Sequence, residues 1–215
     1  NDTLVRPGWQ KGMHSVARAH PDAGIVGNLH EFPERPETIS PGECAINHAG
    51  VIFADEKHAR HLYEGLHEGL AAAAQTRRMR AVSAACWLAP ANFWADLGGF
   101  DEAYVNGHED IDVCLRAQEM GRTVWYAGES VIEHHGSSTP GRFDDEDANY
   151  KRFCARWNDS IAPDLEATVA ADGLAWPRRS AAYRIARSVW RWPPTRAVLR
   201  RVLSSRLGTR VRSAV

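Results

Sequence analysis

The chain has 215 residues, of which 44% are hydrophobic and 25% charged, ordinary values for one globular domain with a sizeable core. No apolar run reaches the ~18 residues of a membrane span, the opening residues do not read as a secretory leader, and Cys44, Cys86, Cys114 and Cys154 are widely spaced with no CxxC pair, which points to a reduced, cytoplasmic protein rather than a disulfide scaffold. The net charge of −1 hides an asymmetry: residues 176–215 hold eleven arginines and no acid, while the rest of the chain is strongly acidic.

Taken in chain order, Pro7-Gly8 marks a turn and "WQKGMHSVARAH" predicts a helix. "GIVGNLHEF" predicts a buried strand, "PERPETISPGE" a surface loop, and "CAINHAGVIFAD" another strand-like segment. Residues 56–78 are expected to be helical. "AVSAACWLAP" predicts a buried strand and "ANFWADLG" a short helix ending at Gly98-Gly99. From Glu109, apolar residues at Ile111, Cys114 and Leu115 keep the i, i+3, i+4 spacing of a helix face. Asp112 and Arg116 are expected to form an outward i, i+4 pair, and Gly121 to end the helix. "RTVWYA" and "SVIEHH" predict two short strands, "GSSTPGRF" a flexible loop, and "DEDANYKRFCARW" a helix. The alternation predicts an α/β domain with a mostly central sheet.

Three places carry chemistry. Glu109 and Asp110 sit at a helix entrance, after the turn-forming Asn106-Gly107-His108. They read either as a plain capping pair or as a site where one carboxylate takes a proton, held ionised by the helix N-terminus at some cost in basicity. Gly107 permits close approach and His108 adds a polar neighbour. His134-His135 end a strand, so their side chains point to opposite faces. One could face a cleft as a metal ligand, or both could be satisfied surface residues. The following 136–142 loop, with hydroxyls and Arg142, could fold over a phosphate or be plain linker. His48, His58, His61 and His67 fit no tight zinc spacing and are expected at the surface. Trp87, Trp94 and Trp125 are expected in the core, although Trp87 could also stack on a sugar.

These segments together resemble the C-terminal part of a family 2 glycosyltransferase, the inverting nucleotide-sugar enzymes with a GT-A fold. Asn1-Asp2 resembles the end of that family's Asp-rich metal motif, and Asp2-Thr3 with Pro7-Gly8-Trp9 the run after it. Ala81–Cys86 resembles the strand before the acceptor site. Gly98-Gly99-Phe100-Asp101-Glu102, followed by Gly107-His108-Glu109-Asp110-Ile111-Asp112-Val113-Cys114-Leu115-Arg116, is the most specific match, and His134-His135 matches the metal-site histidine. The resemblance covers about residues 1–157. It implies a GT-A-like mixed sheet flanked by helices, with Asp110 as the base acting on an acceptor hydroxyl and Glu109 orienting acceptor or base. It further implies that Asp2 and His134 hold Mn²⁺ or Mg²⁺, and that Trp87, Gly107, His108 and Arg142 contact substrate. The donor would be a nucleotide-sugar and the acceptor a glycan, lipid-linked or protein hydroxyl, in the synthesis of cell-surface polysaccharide or glycan. The family's nucleotide-binding half would lie upstream, and "APANFW" lacks the basic pair often found after Leu88.

Residues 158–215 are expected to form a helical, Arg-rich extension. Ile185, Val189 and Trp192 share one helical face, and Arg184, Arg187 and Arg191 another. Such a segment suits an anionic membrane surface, which would place the protein peripherally at the inner face of the membrane. A helix packed on the acidic body and a nucleic-acid contact are the alternatives, the last of them not expected. The rival to the enzyme reading is a non-catalytic carbohydrate- or protein-binding module derived from a glycosyltransferase domain.

Overall fold

In a computed structural model of the chain, the described residues are 2–33, 45–54, 57–66, 69–136, 141 and 143–174. The Pro-rich segment after Pro33, Cys44, His67, most of the 136–142 loop including Arg142, and the Arg-rich segment 176–215 lie outside them. The chain divides into two units, Asn1–Asp172 and Gly173–Val215, and every described helix and strand belongs to the first.

The elements run β1 (Thr3–Val5), α1 (Trp9–Ala19), β2 (Ala23–Glu31), β3 (Ile46–His48), β4 (Val51–Phe53), β5 (Ala59–His61), β6 (Arg77–Met79), β7 (Trp87–Leu88), α2 (Ala91–Leu97), α3 (Glu109–Glu119), β8 (Thr123–His134), α4 (Glu146–Trp157) and α5 (Leu165–Ala171). The architecture is mixed α/β. One six-stranded mixed sheet is built on the parallel pair β2 and β8, and β4 and β5 form a separate two-stranded ribbon. On the outer edge of β8, β6 and β1 pair antiparallel with successive segments; β7 and β3 do the same along β2.

Every residue of β2 is buried, as a strand covered on both faces and paired on both edges requires. Its polar side chains are bonded internally. The Asn28 amide donates to Ser130 Oγ at 3.2 Å, and His30 Nε2 donates to Asn28 Oδ1 at 3.1 Å.

Several expectations change. Residues 57–66 and 69–78 contain no helix; they form β5, a series of turns and the start of β6. The turns pack on β8: Tyr126 donates its hydroxyl to the Ala73 carbonyl at 2.7 Å, and a Cβ at Gly128 would meet Ala74 backbone atoms at 2.4 Å. Only glycine admits that approach. The two short strands expected from 122 to 135 are one continuous β8. Its register against β2 jumps from Asn28↔Ala127 to Leu29↔Val131, so residues 128–130 are a bulge that brings Ser130 Oγ to the Trp9 carbonyl, 2.5 Å away at the start of α1. Of "AVSAACWLAP", only Trp87–Leu88 is strand; Ala81 makes an isolated bridge to Val51. Among the described residues, no helix is long and apolar enough to cross a membrane.

Candidate functional site

The approach to α3 is unusual in its backbone. Asn106 and His108 adopt left-handed conformations, φ 54° and 70°, which cost non-glycine residues of order 1–3 kcal/mol each and concentrate at functional sites. His108 is the N-cap but its side chain makes no capping bond; the ring packs against Phe153 of α4, 5.1 Å between centroids. Asp110 takes the first-turn amide instead. Its Oδ1 accepts from the Ile111 N–H at 2.8 Å, and its Oδ2 reaches out of the helix to the Ala84 N–H at 3.3 Å. Burial, and after it the neighbouring Glu109 charge, raise Asp110 above its ordinary carboxylate value. The helix N-terminus was expected to lower its basicity; burial outweighs the two amide bonds. Glu109 Oε2 is buried with no hydrogen-bond partner among the described residues.

The helix itself is anchored by Asp112, which is buried rather than outward-facing. Its carboxylate accepts from Arg116 Nε and from Trp157 Nε1, both at 2.8 Å, and meets Arg156 at 3.4 Å. Arg116 also donates to the Leu97 and Gly99 carbonyls at 2.7 and 2.6 Å. Asn149 of α4 holds the loop before α3 by bonding both the N–H and the C=O of Val105. The 81–86 segment, the glycine turn after α2, and α4 are therefore all fastened to the first two turns of α3.

Asp110, Gly107 and His108 line a cavity of about 190 Å³ together with His61 of β5 and Glu146 of α4. Trp87 is not among its lining residues. It joins a half-buried aromatic group, stacked on Phe100 at 5.8 Å and edge-on to Trp94 at 6.0 Å. Trp125 stacks on His20 at 3.6 Å.

At the carboxyl ends of β2 and β8, where open parallel sheets bind ligands, β1 brings Asp2 to His134. The register is Thr3↔His134, the His135 N–H donates to the Asp2 carbonyl at 2.9 Å, and Asp2 Oδ2 lies 3.4 Å from His134 Nε2. Burial lowers the His134 value, with Asp2 opposing. Behind this pair stand three more histidines. His30 is 5.4 Å from His134, His48 4.8 Å from His30, and His61 4.6 Å from His48, ring centroid to ring centroid. Burial holds His30 and His48 well below the usual imidazole value, so both are neutral. Sequence reasoning missed His30 and placed His48 at the surface; one signal was available, a histidine in the middle of an otherwise apolar strand. His58 stacks on Tyr150.

The tautomers decide which rings could bind a metal. The Ser83 N–H donates to His48 Nε2 at 3.2 Å, so the hydrogen of that neutral ring is on Nδ1 and neither nitrogen offers a lone pair. Among the described residues no group of three or more His, Cys, Asp and Glu is placed to hold an ion. Asp2 and His134 still fit one: a carboxylate oxygen and an imidazole nitrogen converge, and Mg²⁺-type ions are often held by one or two protein groups with substrate phosphates completing the shell.

No protein-family model matches the chain. The chain is 28% identical over 141 residues to the O-antigen biosynthesis protein RfbC of Myxococcus xanthus, covering 63% of this chain and 10% of that relative. It is also 28% identical over 146 residues to a Sinorhizobium fredii protein bearing the name "Uncharacterized protein y4gI", covering 66% of this chain and 15% of the relative. The chain thus spans a small part of the length of the curated relatives it matches.

Proposed function

We propose that the chain is the acceptor- and metal-side part of an inverting family 2 glycosyltransferase with a GT-A-like fold, acting in polysaccharide synthesis. The observation that carries this reading is Asp110: a carboxylate made more basic by burial and by Glu109, fixed by two backbone N–H groups, on the wall of a cavity that can take an acceptor. The similarity to an O-antigen biosynthesis protein supports the same class of chemistry.

In this reading Asp110 takes the proton of the acceptor hydroxyl as its oxygen attacks the anomeric carbon of the donor sugar. The attack comes from the face opposite the diphosphate; the new C–O bond forms as the bond to the diphosphate breaks, so the configuration inverts and the nucleoside diphosphate leaves. A proton taken in the transition state needs a base of raised basicity within hydrogen-bond reach. Asp2 and His134 would hold Mn²⁺ or Mg²⁺, which would supply Lewis-acid stabilisation of charge developing on the diphosphate. Glu109 keeps Asp110 basic by its charge.

The test is transfer by the protein that includes the nucleotide-binding half. Asp110→Asn keeps the shape of the side chain and removes the proton acceptor. It should lower transfer by at least ~100-fold while donor binding persists, and chelation should stop transfer until Mn²⁺ or Mg²⁺ is restored. Near-normal transfer by a folded Asp110→Asn protein would leave the carboxylate as a helix cap, and no transfer by the wild-type protein would favour the non-catalytic module.

A further inference from the structure

The cavity beside Asp110 contains a second hydrogen-bond acceptor. His61 Nδ1 lies 3.0 Å from the Asn47 carbonyl oxygen. A carbonyl only accepts, so Nδ1 carries the hydrogen, and in the neutral form of the ring the lone pair is on Nε2. Nε2 has no hydrogen-bond partner among the described residues. The ring is held edge-on against His48. Both side chains line the same space.

Asp110 and His61 are two acceptors on one small cavity, which Glu146 also lines, and a hydroxyl carries a single hydrogen. If Asp110 takes the hydrogen of the reacting hydroxyl, that hydrogen is not available to His61, and a neighbouring hydroxyl of the same ring can supply one. Arg60, Asn106 and the aromatic Phe143 also line the space. That mixture matches a sugar ring, with polar hydroxyl edges and an apolar C–H face. At about 190 Å³ the space falls below the roughly 300–1,000 Å³ of sites for drug-sized ligands, so it admits one ring, with the remainder of the acceptor outside.

We propose that His61 accepts a hydrogen bond from a hydroxyl adjacent to the reacting one, so that the acceptor is a sugar ring with neighbouring hydroxyls and not a lone side-chain or lipid hydroxyl. This rests on the reading of Asp110 as the base. Binding of the methyl glycosides of glucose, galactose, mannose and rhamnose to the full-length protein tests it. Each is compared with its monodeoxy analogues at every ring position and with N-acetylserinamide as a lone hydroxyl.

At least one glycoside should bind more tightly than N-acetylserinamide. His61→Ala should weaken that glycoside by roughly three- to tenfold, the worth of one hydrogen bond. Deoxygenation at one position should cost the same, and the variant should no longer distinguish that analogue from its parent. His61→Gln, whose side-chain oxygen still accepts, should keep most of the binding and the discrimination, which a merely structural histidine would not explain. The inference is overturned if no glycoside binds, if His61→Ala binds the parent as wild type does, or if it still discriminates against every deoxy analogue. Loss of transfer in Asp110→Asn together with glycoside binding indifferent to His61 would sink this inference alone. Normal transfer by Asp110→Asn would sink the reading of Asp110 as the base, on which it rests.

Discussion

Asp110 and Asp112 occupy one turn of α3 and face two different regions. On the core side, Asp112 is fully buried and meets Arg116, Arg156 and the Trp157 indole. On the cavity side, Asp110 has two backbone N–H groups, an acidic neighbour and, among the described residues, no cation bonded to it. The same side chain is a fastener where cations meet its charge, and a base where burial and a like charge leave it short of compensation. The contrast separates the residues that build the site from those that would use it.

The largest effect should come from the fastener. Asp112→Asn leaves Arg116 without its carboxylate, and breaking a buried pair costs ~3–5 kcal/mol. At roughly 2–4 °C per kcal/mol for a chain of this size, thermal unfolding should show a fall of many degrees. An unchanged melting temperature would erase the distinction between the two carboxylates.

Asp110→Asn should show the reverse pattern. Its cost appears in transfer, where a ~100-fold loss corresponds to roughly 2.7 kcal/mol of barrier, while the unfolding transition stays cooperative. A variant that unfolds like Asp112→Asn would place Asp110 among the fasteners.

Glu109→Gln sharpens the cavity side. Its direct effect on transfer should be about tenfold or less, roughly 1.4 kcal/mol. Because the Glu109 charge raises Asp110, the acid limb of the pH–rate profile should move to lower pH in the variant. A limb that does not move would mean that burial alone tunes the base.

The smallest effect is in the pH dependence of stability. Asp110 is raised in the folded state relative to ~3.9 in an unfolded chain, so folding favours its protonated form. Its charge therefore costs stability above the folded-state value, and the cost vanishes below ~3.9. Asp110→Asn lacks this term. Its stability relative to wild type should rise between about pH 4 and pH 7, which urea unfolding at the two pH values measures. A difference that falls with pH would reverse the assigned sign.

The elements that the sequence alone determined are those with a local signature. The i, i+3, i+4 spacing of Ile111, Cys114 and Leu115 marked α3 and its buried face, and all three are buried. Gly98 closes α2 in a left-handed conformation, as a glycine after a short helix should. The apolar run in β2 marked a covered strand. A few residues of chain contain that information, because helix and strand periodicities act over a turn or a pair of residues.

What the tertiary structure decided depends on distant partners. The alanine run at 71–74 has high helix propensity, yet it forms turns because the bulged β8 presents Gly128 and Tyr126 to it. The i, i+4 spacing announced the Asp112–Arg116 pair but not that Trp157, Leu97 and Gly99 would enclose it. His30, His48, His61 and His134 come from four different strands, and no spacing along the chain encodes their convergence. Asp110 shows both layers at once: its place at a helix entrance and its acidic neighbour were readable, but the main cause of its raised basicity is burial, a property of the packed fold and not of neighbours in sequence.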